Sequence, residues 1–151
     1  MSVVPITVTQ PLPALLMQVK EAALKRLFLG MADAGFGDIR EGHGCVFGHI
    51  DAEHGSRLTE LAERSGLTKQ AVGEAVSELE RLDYVERVPD PGDGRAKIIR
   101  LTERGHDAWQ TSRRLFADIE REWGERLGED LVACMREAAA RIVDLESRIS
   151  A

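Results

Sequence analysis

The sequence predicts a mainly α fold of α+β type, with a small β-hairpin set among helices. Three observations carry that prediction. Leu58–Leu82 reads as two short amphipathic helices joined by a tight turn at Ser65-Gly66-Leu67. Tyr84–Leu101 reads as two strands around the turn-rich cluster Pro89-Asp90-Pro91-Gly92-Asp93-Gly94. Long apolar-periodic segments flank both, at 12–34 and 103–150.

Each element has a local cause. Residues 1–13, with prolines at 5, 11 and 13, read as an irregular arm. From Ala14 to about Ala34, apolar residues recur at spacings of three and four (Leu15, Leu16, Val19, Ala23, Leu24, Leu27, Met31), so a helix is expected. Asp38–Glu53 is ambiguous, because Gly42, Gly44 and Gly48 interrupt a weak helical pattern. Ser56–Arg64 is expected to be a short helix. Gly66 supplies the positive φ of the following turn, and Thr68 the N-cap of the next helix, which buries Val72, Ala75, Val76, Leu79 and Leu82. Val85 and Val88 alternate with charges as in a strand, and Arg95–Leu101 forms the return strand. Thr102 opens a long helix to Leu127, Gly128 breaks it, and Leu131–Ile149 forms the last one.

The bulk numbers bound the possibilities. At 151 residues the chain is read as one domain, 1–151, with a lobe at 38–102 between the helical segments 12–34 and 103–150. It is 43% hydrophobic and 30% charged, ordinary values for a soluble globular protein. No apolar run approaches the roughly 20 residues of a membrane span, and the N-terminal stretch lacks the features of a secretory signal. Cys45 and Cys134 are far apart and suggest neither a disulfide framework nor a metal spacing. A reduced, cytoplasmic protein is the expectation. The net charge of −6 argues against a protein that coats nucleic acid by bulk charge, and requires any nucleic-acid surface to concentrate its basic residues locally. There is no nucleophile–base set, phosphate-binding glycine loop, dinucleotide fingerprint or credible metal cluster, so neither an enzyme nor a cofactor-binding protein is expected.

Helix, turn, helix and hairpin in this order is the layout of a winged helix-turn-helix, which places its second helix in the major groove of double-stranded DNA and the hairpin beside it. On that reading the exposed residues of the second helix, Thr68, Lys69, Gln70, Gly73 and Ser77, face base edges. Lys69 suits guanine or phosphate, Gln70 suits adenine, and Gly73 permits close approach. At the hairpin tip Arg95 would enter the minor groove, with Lys97 on the same side of the strand as a phosphate contact. Arg57 and Arg87 are weaker candidates. Asp93 is assigned a structural role in the wing. Glu74, Glu78 and Glu80 should then point away from DNA or lie beyond the contact zone, since otherwise affinity would be low.

The segment LTELAERSGLTKQAVGEAVSELERLDYVERVPDPGDGRAKIIRLTERG resembles the core of the multiple-antibiotic-resistance regulator (MarR) family over roughly residues 57–107. Its most specific part is D-P-x-D-x-R followed by L-T-x-x-G, here Asp90, Pro91, Asp93, Arg95, Leu101, Thr102 and Gly105. The resemblance implies a homodimeric transcription factor, most often a repressor, on a pseudo-palindromic operator. It also implies that the first and the last two helices form the dimer interface and that a small-molecule effector relieves binding. A ligand pocket would involve Arg40, His43 and Phe47. His43, His49 and His54 lack metal-site spacing, so no metal is expected. Two alternatives stand beside this reading: a winged-helix module that binds protein and not DNA, and a redox-responsive regulator using Cys45.

Overall fold

The computed structural model describes residues 10–149. Most of the expected N-terminal arm, residues 1–9, lies outside the described residues. The chain divides into two compact units, residues 1–112 and 113–151.

The first unit begins with α1 (Leu12–Asp33), whose early prolines sit at positions that tolerate a missing N–H. Leu27 and Met31 of α1 are buried, whereas Leu12, Leu16, Met17 and Val19 are exposed. The glycine-interrupted stretch resolves into a single 3-10 turn (Glu41–His43) and the four-residue α2 (Gly44–Phe47). Ser56–Arg57, expected to be helical, is instead a short strand, β1, and α3 (Leu58–Ser65) begins after it. The correction has a pairing cause: Ser56 and Arg57 lie opposite Ile99 and Ile98, which gives the hairpin a third strand.

Gly66 has φ +69°, the left-handed value expected of it. Thr68 Oγ1 then accepts the Ala71 N–H at 3.2 Å and caps α4 (Lys69–Arg81). Val72, Val76 and Leu79 on one face of α4 are fully buried together with Leu61, Val46, Tyr84, Val85 and Ile99, and these make the core of this unit. The strands β2 (Val85–Asp90) and β3 (Asp93–Leu101) pair antiparallel, in the sheet order β1-β3-β2. They run further into the turn cluster than expected, leaving only Pro91 and Gly92 between them. The pairing is irregular at Pro89/Asp90, where a proline without an N–H is tolerated.

The helix α5 (Glu103–Leu127) starts in the first unit, and α6 (Glu129–Ile149) lies in the second. Gly128, at φ +100°, is the single residue between them. Within the second unit Ile119 and Val132 are buried and Arg136 forms an ion pair with Glu120. Leu131, Met135, Ile142, Val143, Leu145 and Ile149 of α6 are exposed. Among the described residues no helix is long and apolar enough to cross a membrane.

Candidate nucleic-acid interface

The outward surface of α4 begins at its cap. Thr68, Lys69 and Gln70 are exposed in its first turn, where unpaired N–H groups and the helix dipole favour an anion. Gly73 has no internal reason to be glycine: a Cβ there would meet only Leu58 Cδ2, at an ordinary 3.9 Å. A glycine inside a helix costs up to ~1 kcal/mol relative to alanine, and nothing in the packing around Gly73 offsets that cost.

Ser77 is less available than its exposure suggests. Its Oγ donates to Gly73 O at 2.9 Å and accepts from Arg87 Nη2 at 3.1 Å. Arg87 is also paired with Glu80, so it ties β2 to α4 and is not a free cation.

The three glutamates of α4 have different environments. Glu80 is held by Arg87. Glu78 is surrounded: His43 Nε2 lies 3.1 Å from Oε2, and Arg40 and Arg81 lie 3.7 and 3.8 Å from Oε1. The Arg40 backbone N–H donates to His43 Nδ1 at 3.1 Å, which leaves the ring proton on Nε2, facing Glu78. That N–H is close to the carboxylate but off the line of a good hydrogen bond. The His43 ring, followed by Arg40 and Arg81, lowers the Glu78 carboxyl below its usual range. Glu74 is exposed, and its contact is with Gln70, whose Nε2 donates to Oε1 at 3.3 Å.

The wing is set by two aspartates. Asp90 is buried at its base, where Oδ1 accepts the Gly92 N–H at 2.8 Å and Oδ2 accepts Arg57 Nε at 2.7 Å. These donors hold its carboxyl below the ordinary value, the Gly92 N–H contributing most. Arg57 is thereby committed to the fold. Asp93 Oδ1 accepts the Arg95 N–H at 3.1 Å and fixes the start of β3. Arg95 and Lys97 are exposed. Among the described residues the side chains of Lys69, Arg95 and Lys97 have no ion-pair partner, so the lobe keeps these cations free.

The residues expected around a ligand separate into two groups. Arg40 and His43 converge on Glu78, whereas Phe47 stacks edge-on against Tyr84, with ring centroids 6.0 Å apart. Cys45 is buried, its Sγ donates to Gly42 O, and burial pushes its thiol pKa up. No group of three potential metal ligands occurs among the described residues.

Sequence reasoning missed two pairings. The Arg57–Asp90 pair spans 33 residues, and the link between Glu78 and His43 depends on how the 3-10 turn Glu41–His43 meets α4. The buried aspartate beside a glycine turn was the available signal for the first. The second had none.

Three helices, a three-stranded sheet and a charged hairpin tip beside a capped helix define a winged helix-turn-helix protein. Residues 39–96 match the family model described as MarR family. No curated protein matches the chain. Solved structures share the fold over most of its length. Apo wild-type MarR from E. coli is 22% identical with a TM-score of 0.68, covering 88% of this chain and 97% of that one. The transcriptional repressor CouR bound to a 23-mer DNA duplex is 22% identical with a TM-score of 0.74, covering 90% and 94%. CouR from Rhodococcus jostii RHA1 bound to p-coumaroyl-CoA is 22% identical with a TM-score of 0.71, covering 91% and 94%.

Proposed function

We propose that this chain is a cytoplasmic, homodimeric transcriptional regulator that binds a pseudo-palindromic DNA operator as a repressor and is released by a small molecule. The observation that carries the DNA-binding part is the placement of free cations. Lys69 at the start of α4 and Arg95 and Lys97 on the wing are exposed and unpaired, while Arg57 and Arg87 are tied to Asp90 and Glu80. A protein of net charge −6 thus keeps these three cations available on the reading helix and the wing. Thr68, Lys69, Gln70 and Gly73 form the reading surface, Ser77 supports it, and Asp93 orients the strand that carries Arg95.

A second copy of the chain is the partner that suits the apolar residues left exposed on α1 and on α6. For the effector, Arg40 and His43 touch Glu78 of α4, so a ligand engaging these two would act on the reading helix directly, whereas one at Phe47 would act on it through Tyr84. The neighbour that carries p-coumaroyl-CoA is a precedent for such a ligand in this fold. A redox switch at Cys45 is disfavoured, because burial keeps its thiol protonated.

Fluorescence anisotropy on a labelled duplex from upstream of the chain's own gene, with a random duplex as control, tests the reading. Affinity is expected to fall steeply with salt, and Arg95→Ala to lose about ten-fold or more in affinity with an unchanged melting temperature. Sedimentation should give the mass of two chains. Absence of binding to either duplex at low salt would leave the protein-interaction module as the better account.

A further inference from the structure

Gln70, Glu74, Ser77 and Arg81 are spaced by three and four residues and form the stripe of α4 directly opposite the buried Val72, Val76 and Leu79. Glu74 therefore sits at the middle of the surface that a major groove would meet. The other two glutamates of this helix have partners from outside it, Glu78 the Arg40 guanidinium and the His43 ring and Glu80 the Arg87 guanidinium. Among the described residues Glu74 has no cation within ion-pair distance; its contact is the Gln70 amide.

A free carboxylate at the centre of a DNA-facing helix is repelled by phosphate. It is favourable only where a base presents a hydrogen-bond donor. One N–H of Gln70 Nε2 goes to Glu74 Oε1, which leaves the second carboxylate oxygen of Glu74 free as an acceptor beside the Gln70 amide, which keeps its other N–H and its carbonyl oxygen. In the major groove guanine and thymine present acceptors at their O6, N7 or O4 positions and oppose such a group. Adenine sets its N7 acceptor beside its amino donor. Cytosine presents the N4 amino group alone.

We propose that Glu74, held by Gln70, is a specificity-determining residue that selects cytosine by accepting a hydrogen bond from its N4 amino group. The inference rests on the DNA-binding reading above and names a base that reading leaves open. Glu74 also suppresses binding to unrelated DNA, since its charge is uncompensated everywhere except at a matching base.

The test is selection of bound duplexes by the full-length chain from a pool with randomised central positions, followed by sequencing, for wild type, Glu74→Ala and Glu74→Gln. Wild type should enrich cytosine at one position of each half-site. Glu74→Ala should lose about ten-fold of that preference. Glu74→Gln should turn it toward adenine, which a side-chain amide pairs through N6 and N7. Melting temperatures should be unchanged, because the side chain is exposed. If Glu74→Ala binds all duplexes more tightly while every base preference stays as in wild type, Glu74 is only an electrostatic brake and the inference is overturned. A wild-type chain that enriches nothing overturns the DNA-binding reading and this inference together.

Discussion

Gly105 lies against the backbone of Tyr84 so closely that a Cβ at position 105 would stand 1.9 Å from the Tyr84 carbonyl oxygen. The contact belongs to an interlock between the start of β2 and the start of α5. The Thr102 N–H donates to the same Tyr84 oxygen at 3.1 Å. Thr102 Oγ1 donates to Asp83 O at 2.6 Å and accepts the Gly105 N–H at 3.0 Å, which caps α5. Asp83 itself has φ +65°, so the chain turns sharply into β2 where this threonine can hold it. The pattern L-T-x-x-G thus has a physical content: a cap that also clamps the preceding strand, and a helix position where only hydrogen fits.

Gly105→Ala is therefore expected to destabilise the protein although it favours helix by propensity. The clash is with backbone, which cannot rotate away, so the cost should reach about 2 kcal/mol or more. That corresponds to a fall of roughly 5 °C or more in the melting temperature of a chain of this size. A melting curve at or above that of wild type would show that α5 is free to shift away from Tyr84.

Gly66 presents the opposite situation, and the comparison separates two reasons for glycine. Nothing lies within 4 Å of a Cβ built there, but φ is +69°. The penalty of substitution is then purely conformational. Gly66→Val should cost about 1–2 kcal/mol, and Gly66→Asn much less, since asparagine enters the left-handed region readily. Equal destabilisation by both variants in thermal melts would point to a steric cause that the geometry does not contain.

What could be read in the sequence follows the range of the forces involved. The turn at Gly66, the Thr68 cap, the buried face Val72-Val76-Leu79 and the break at Gly128 are local: each rests on residues within about one or two helical turns. Ser56–Arg57 was misread as helix because its strand character comes from Ile98 and Ile99, more than forty positions on. The candidate interface divides in the same way. Exposure of Lys69, Gln70 and Arg95 follows from helix and hairpin periodicity. The environments of Glu78 and Ser77 depend on His43, Arg40 and Arg87, which arrive from other elements. No spacing rule within α4 could distinguish Glu74 from its two paired neighbours.

The base of the wing should be sensitive to acid. The Gly92 N–H, followed by Arg57, stabilises the charged form of Asp90, so its carboxyl titrates below the ordinary 3.8 in the folded protein. A group with a depressed folded pKa contributes stability that is present above its unfolded value and is lost as pH falls through the folded one. Glu78, depressed from 4.5 chiefly by His43, acts with the same sign. The melting temperature should accordingly hold near neutral pH and fall below about pH 5, as these carboxylates are forced to take up protons. Asp90→Asn keeps an oxygen for the Gly92 N–H but loses the charge that Arg57 pairs with. It should melt below wild type near neutral pH, with a shallower fall on acidification, so that the two curves of melting temperature against pH converge as Asp90 takes up its proton below its ordinary value. Parallel curves would mean that Asp90 contributes nothing to the acid response, and that the Arg57 pair holds the wing by geometry alone.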